Sequence, residues 1–382
     1  MRNGQGKPVR WAGGFQPPHC PNRECPFHTP NEDWHFVRNG TKPKKVGEGR
    51  QQRFLCRHCG TEFCAATFKA TYWLQKPKLL VPIAAHLTEG NGIRQTARLL
   101  GTSHTTVMRH LARLNRHCLL THLELSAQAP IREPLVFDGF ESFSHSQFAP
   151  FHANLAVGAD SWFLYHFTLS PLRRKGTMTP GQKQKRAALE RRFGRPDPKA
   201  VEAGIVALLR PLLRRMADTP ARLHSDDLGA YRRALRRLAR APDLPPVSHQ
   251  ITSSKKRRTQ SNPLFPVNLA DLLLRHGSAN HRRETIAFSK LLQAVAERLA
   301  LFLVWRNYIK KRREKAPASP VATAAMQAGV ITRALTWKEI LRRRRFPSHF
   351  ELSAAWEQAY RRRIPTPFRG CWQAEHRLTY AF

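Results

Sequence analysis

"PLVFDGFESF", residues 134–143, sets an aspartate inside an apolar run. Leu135, Val136, Phe137 and Phe140 surround Asp138, and the run reads as a strand. A carboxylate among such neighbours costs free energy unless a cation or a set of donors meets it. Working outward, "FHANLAVG" (151–158) and "SWFLYHFTLS" (161–170) follow, joined by a turn around "GADS". The three segments predict consecutive antiparallel strands.

Further along, a basic stretch at 171–198 containing Gly and Pro reads as a surface insertion, partly helical. "KAVEAGIVALLRPLLRRMA" (199–217) predicts a helix kinked at Pro211. "ARLHSDD" (221–227) predicts a short strand ending in two acids, and "LGAYRRALRRLAR" (228–240) a basic amphipathic helix. "VSHQITSS" (247–254) is a further strand. A helix through "SANHRRETIAFSK" (278–290) is then expected to run towards Trp305. The order β-β-β-α-β-α-β-α is that of the α/β ribonuclease H-like fold, a mixed sheet. There the first and fourth strands are neighbours, which would set Asp138 beside Asp226.

Asp227 is expected to cap the helix that starts near Leu228, leaving Asp226 for a metal. On a helix, Glu284 has Asn280, His281, Ala287 and Phe288 as its i±3 and i±4 neighbours. Arg282 and Arg283 point elsewhere, free to meet phosphates. Asp138, Asp226 and Glu284 are therefore the candidate catalytic carboxylates, while Glu141 and Asp160 read as exposed strand or turn positions. Phosphodiester cleavage and strand transfer need an activated attacking oxygen, a stabilised leaving oxygen and relief of charge on the phosphate. Two Mg²⁺ ions (or Mn²⁺) roughly 3.5–4 Å apart supply all three, and Mg²⁺ favours a few carboxylates over a full protein cage.

Composition agrees with a polyanionic partner. The 382 residues carry 65 Lys+Arg against 26 Asp+Glu, a formal net charge of +39. Basic residues are interleaved with aromatic ones along the chain, which suits nucleic acid better than a membrane surface. The apolar runs 79–87 and 299–305 are too short to span a bilayer, and the first fifteen residues do not resemble a signal peptide. Seven cysteines with one CxxC pair point to an intracellular metal site.

That pair is Cys56 and Cys59 in "RFLCRHCGTEF", with Gly60 supplying backbone freedom for a knuckle. Cys20 and Cys25, separated by four residues, complete a tetrahedral Zn²⁺ set. His19, His28 and Cys64 are substitute ligands to be weighed against them. "NGIRQTARLLGTSHTTVMRHLARL" (91–114) then shows a helical apolar pattern, broken at Gly101 and restarted at Ser103, a good N-cap. Small Ala97 and buried-type Val107 fit a helix-turn-helix. Its second helix would offer Ser103, His104, Thr105, Thr106 and Arg109 to double-stranded DNA.

Taken in order, "QQRFLCRHCGTEF", "RQTARLLGTSHTTVMRHL", "LVFDGFESF", "LHSDDLGAY", "NPLFPVNLADLLLRHGSANHRRETIAFSK" and "AERLALFLVWRNYIK" resemble bacterial insertion-sequence transposases of the DDE type. The likeness is to the group with a zinc ribbon ahead of a helix-turn-helix, and spans about residues 18–310. It implies a zinc-ribbon region (1–74), a helix-turn-helix domain (75–130), a ribonuclease H-like catalytic domain (131–310) and a basic C-terminal part (311–382). The family's acids fall on Asp138, Asp226 and Glu284, and Tyr231 matches as a packing or DNA-contacting residue. The resemblance further implies binding to terminal inverted repeats and donor cleavage there. A 3′-hydroxyl would then attack target DNA, with a homo-oligomer assembled on paired ends in the bacterial cytoplasm, at the nucleoid. The insertion at 171–198 and the wide first cysteine spacing depart from the pattern. A transposase-derived, sequence-specific DNA-binding regulator without turnover is the alternative. At the C-terminus, "TWKEILRRRRFPSHFELSAAWEQAYRRRIPTP" reads as two short helices with basic faces, either a solubilising tail or an extra contact.

Overall fold

A computed structural model describes residues 14–44, 46–127, 129–217, 219–282, 285–313 and 323–369. The chain begins with a three-stranded antiparallel sheet, β1 (Phe36–Pro43), β2 (Arg50–Cys56) and β3 (Glu62–Cys64). Its small core is made of Cys20, Cys25, Trp34, Phe54, Cys56, Phe63 and Phe68, joined by Phe346 from far along the chain. Three helices follow: α1 (Leu80–Thr88), α2 (Ile93–Leu99) and α3 (His104–Ser126). The first turn of α3 faces solvent, whereas its remainder is buried along almost its whole length.

The central sheet is built from β4 (Leu135–Phe143), β5 (Pro150–Gly158), β6 (Leu164–Pro171), β7 (Ala221–Ser225) and β8 (Val247–Ile251). Its spatial order is β6-β5-β4-β7-β8. β4, β5 and β6 are antiparallel, whereas β7 and β8 run parallel to β4, which makes the sheet mixed. β5 and β6 are covered nearly throughout, their buried polar residues such as His152, Asn154, Thr168 and Ser170 bonding one another, while β8 lies at the open edge and is half exposed. The first and fourth strands of this sheet, β4 and β7, are indeed neighbours.

Helices α4 (Pro180–Phe193) and α5 (Ala200–Leu213) lie between β6 and β7, and α6 (Gly229–Leu238) between β7 and β8. α4 occupies the 171–198 insertion and has no buried residue, as a surface element should. α5 packs on β5 and β6 through Ile205, Leu208, Leu209, Leu212 and Leu213, with Pro211 in its last turn. α7 (Phe265–Gly277) lies against β4 and β5, and α8 (Leu292–Val304) packs along α3. Short helices α9 (Ala324–Gln327), α10 (Trp337–Ile340) and α11 (Ala354–Tyr360) complete the described chain.

One expectation fails. The segment 278–290 does not form a helix on either side of Arg283 and Glu284, which themselves lie outside the described residues. α7 stops at Gly277, Ser278 is extended, and α8 starts only at Leu292. The intervening loop is held by its own hydroxyls. Thr285 Oγ1 donates to the Ala279 carbonyl at 2.8 Å, and Asn280 Nδ2 donates to Ser289 Oγ at 3.0 Å. Ser and Thr bond the backbone locally in just this way when they compete with a helix. The expectations for Arg283 and Glu284 themselves fall outside the described residues.

The C-terminal segment is no loose tail. Trp337, Ile340, Trp356, Ala359 and Tyr360 are buried in the same continuous core as α3, α8 and the sheet. Some of its arginines are engaged internally: Arg343 and Arg345 share Glu124 at 2.6 and 2.7 Å.

Candidate functional site

The carboxylate site grows out of strand register. Leu135 and Val136 pair in parallel with Leu223 and His224. Two further steps along that register set Asp138, inside β4, beside Asp226, which directly follows the last residue of β7. The proximity is felt electrostatically. Burial raises the Asp138 carboxyl above its ordinary value, and the Asp226 charge raises it further, against the Gly139 amide, the Tyr231 hydroxyl and His152. Tyr231, on α6, donates its hydroxyl to Asp138 Oδ1 at 2.9 Å and is wholly buried.

Asp227 does not cap α6. The N-cap position is Leu228, which has no side-chain cap bond. Asp226 Oδ1 instead accepts from the Leu228 amide at 3.0 Å, a tight local turn that fixes where this carboxylate stands.

Beside these two stands an acid that is not among the sequence candidates. Asp271, on α7, has a buried Oδ1 with no hydrogen-bond partner among the described residues. Burial drives its carboxyl well above the usual range, and the Asp138 charge adds to this, with Arg275 and Arg258 opposing. Burial likewise pushes the Tyr231 hydroxyl up, followed by Asp138, Asp226 and Asp271 in turn. One buried tyrosine thus feels all three carboxylates. In "NLADLLLRH" Asp271 reads as the polar face of an amphipathic helix, and nothing local sets it apart. Arg275, one turn on, lies with its guanidinium carbon 5.1 Å from the centre of the Phe140 ring.

Each of Asp138 and Asp226 has one named donor, from Tyr231 and the Leu228 amide, while Asp271 Oδ1 has none among the described residues. Mg²⁺, a hard cation bound by a few carboxylates, fits this donor chemistry. The carboxylates are not drawn into one tight cluster. Among the described residues, the groups with every ligand atom within 4.8 Å of the others are Cys20–Cys25–Cys56–Cys59 and His19–His28–His349.

The thiol group is a closed centre. The Cys25 amide donates to the Asn22 carbonyl at 3.1 Å and the Gly60 amide to the Cys56 carbonyl at 3.0 Å, so each arm makes its own turn. The extra residues of the first arm are taken up in the 22–25 turn and a short helical turn at Pro26–His28. Cys20 Sγ lies 3.6 Å from Cys59 Sγ, and Trp34 Nε1 donates to Cys56 Sγ at 3.3 Å. Burial pushes the Cys20 and Cys25 thiols up. Burial acts on Cys59 too, but its contact with Thr61 outweighs it and brings the thiol down to about 6. All four are free thiols, three of them buried, and four sulfurs at mutual contact suit tetrahedral Zn²⁺. Cys64 stands apart, near Thr67.

The α2–α3 turn has the form expected of its residues. Gly101 takes φ +57°, Ala97 and Val107 are buried, and Ser103 Oγ accepts from the Thr106 amide at 3.2 Å. Ser103, His104, Thr105 and Arg109 are exposed, while Thr106 is half-buried with its hydroxyl 2.9 Å from Ser103 Oγ. Exposed Arg282 lies against the α1–α2 turn, where a side chain on Gly90 would come 2.9 Å from its Nη2. Arg282 therefore belongs to the surface that carries these helices. No helix among the described residues is long and apolar enough to cross a membrane.

Neither a family model nor a curated protein matches this sequence. Among solved structures, it is similar to a chain of the simian T-cell lymphotropic virus intasome in complex with PP2A regulatory subunit B56 gamma, at 13% identity and a TM-score of 0.23. The match covers 65% of this chain and 72% of that one. At that score the likeness carries no argument.

Proposed function

We propose that this protein is a DDE-type transposase with a ribonuclease H-like catalytic core, cutting and joining DNA at the terminal inverted repeats of an insertion sequence. The observation that carries this reading is the strand register that sets Asp138 beside Asp226, with the buried Asp271 close enough to Asp138 and Tyr231 to act on both electrostatically. Buried acids whose proton affinity is raised, as it is at Asp138 and Asp271, are costly for the fold and fit a site reserved for divalent cations. Mg²⁺ or Mn²⁺, when bound, supplies charge relief on the phosphate and an activated attacking oxygen.

The protein's own groups do the rest. Asp138 and Asp226 hold the cations from adjacent strands, and Asp271 faces them from α7. Tyr231 steadies Asp138 through its hydrogen bond. Arg258 and Arg275 stand near enough to receive phosphate oxygens. The exposed start of α3, from Ser103 to Arg109, reads base edges in the major groove, with Arg282 and Arg283 on the phosphate backbone. The four cysteines hold Zn²⁺ and shape the N-terminal ribbon. Oligomeric assembly on paired ends, at the bacterial nucleoid, completes the proposal.

The test is a duplex bearing the inverted repeats that flank the gene, incubated with the protein and Mg²⁺. Nicking and strand transfer are expected, with a roughly thousandfold loss in Asp138→Ala and Asp226→Ala and retained DNA binding. Asp271→Asn and Glu284→Gln, compared side by side, identify the third acid: the ligand's variant loses cleavage and the other keeps most of it. Sequence-specific binding without metal-dependent cleavage by the unaltered protein would overturn the enzyme in favour of a regulator.

A further inference from the structure

Beside the thiol centre, three histidines from opposite ends of the sequence meet. His19 and His28 flank the first cysteine arm and are buried, while His349 comes from the C-terminal segment and is exposed. Each offers a ring nitrogen within 4.8 Å of the other two. The ring centres are 5.2 Å apart for His19–His28, 4.9 Å for His19–His349 and 4.5 Å for His28–His349.

Their hydrogen bonds select the tautomers. His19 Nδ1 and His28 Nδ1 both lie against the Cys20 carbonyl, at 2.9 and 2.8 Å, and His349 Nε2 lies 3.1 Å from the His28 carbonyl. A carbonyl only accepts, so each of these nitrogens carries the proton. The other nitrogen of each ring keeps its lone pair. An imidazole that donates one N–H to a backbone carbonyl leaves its second nitrogen unprotonated, the state that metal ligation requires. At His28 that nitrogen, Nε2, accepts from the Ser348 hydroxyl at 2.5 Å, so a metal bound there would take the place of the serine proton and bring Ser348 Oγ to its edge. Phe346 packs edge-on against His19 and His28, at 5.0 and 5.4 Å, and holds the rings in position.

We propose that His19, His28 and His349 form a second transition-metal site that fastens the cysteine-bearing ribbon to the C-terminal segment. Three imidazoles suit Zn²⁺, with water or Ser348 in the fourth position, and do not suit Mg²⁺. His349 at the rim leaves a way in from solvent. Because the Cys20 carbonyl orients two of the imidazoles, the site sits on the thiol centre's own turn. A metal here would couple the ribbon's position to residues more than three hundred positions away. This proposal does not depend on the transposase reading.

The experiment is metal analysis of the full-length protein after Zn²⁺ loading and desalting, paired with Co²⁺ substitution. Two equivalents per chain are expected, one showing thiolate-to-cobalt charge transfer and one not. His349→Ala, a surface change, should lose the second equivalent and retain the charge-transfer signal, which also reports an intact ribbon. His19→Gln should weaken the second site by about tenfold or more. Protease cleavage between the ribbon and residue 346 should slow on Zn²⁺ addition in the unaltered protein but not in His349→Ala. A single equivalent in the unaltered protein, or two equivalents surviving in His349→Ala, would sink the proposal.

Discussion

Glu133 and Asp271 are both carboxylates shut against the central sheet, and they are treated in opposite ways. Glu133, just before β4, accepts from the Asp160 amide at 2.9 Å, the Ser161 amide at 2.8 Å, the Ser161 hydroxyl at 2.5 Å and the Tyr165 hydroxyl at 2.8 Å. Its oxygens are fully occupied, and it ties the β5–β6 turn to the start of β4. Asp271, on α7, has a buried oxygen with no hydrogen-bond partner among the described residues, and the charge of a second acid, Asp138, acts on it. A buried carboxylate with four donors is part of the scaffold. One left short of donors next to like charge is an energetic liability, and a site for a cation is what turns it to use.

The strongest way to break this contrast is Glu133→Ala. It strips an acceptor from four donors at once, two of them side-chain hydroxyls, and should cost about 4 kcal/mol in a urea titration. Glu133→Gln keeps an acceptor and should cost clearly less. A loss as small as that of a surface substitution would remove Glu133 from the scaffold.

Asp271→Asn should move stability the other way in metal-free protein. The Asp271 carboxyl is raised in the fold above its unfolded value of about 3.9, mainly by burial. Stability from the neutral acid is then complete below that value and falls away as pH rises through the raised folded value. Asp138 acts in the same direction. The thermal midpoint without metal should therefore fall between pH 4 and neutrality, less steeply in Asp271→Asn. Added Mg²⁺ should recover the loss in the unaltered protein only. Identical pH profiles for the two proteins would refute the liability.

The mildest test reaches the contrast from the surface. Arg109 is exposed, on the outward first turns of α3. Arg109→Ala should leave the urea midpoint within about 0.5 kcal/mol. It should weaken DNA binding and, where the contact is to phosphate, lower the salt slope by about one. An unchanged affinity would move the interface off this helix.

Much of the scaffold was legible because its signals are local. The apolar runs at 135–143, 151–158 and 164–171 found their strands, Gly101 and Ser103 their helix junction, and the two cysteine pairs their common centre. Asp138 stood out because its own neighbours are apolar. Asp271 did not, since four residues either side it looks like any polar position on an amphipathic helix. A helix was expected through 278–290 because its alphabet is helical, while Thr285 and Ser289 bond the loop instead. The C-terminal helices left open a tail or a contact because sequence shows charge but not what covers it.

By itself, then, the sequence determined most of the segments that form strands and helices, which four cysteines share one centre, and how strongly basic the chain is. Only the tertiary structure decided which acids face one another, which carboxylate is satisfied, and that residues 19, 28 and 349 share one place. The physical reason is range. Periodicity, turns and caps are settled within a few residues, whereas a missing hydrogen-bond partner or a cluster of imidazoles depends on atoms brought together by packing across the whole chain.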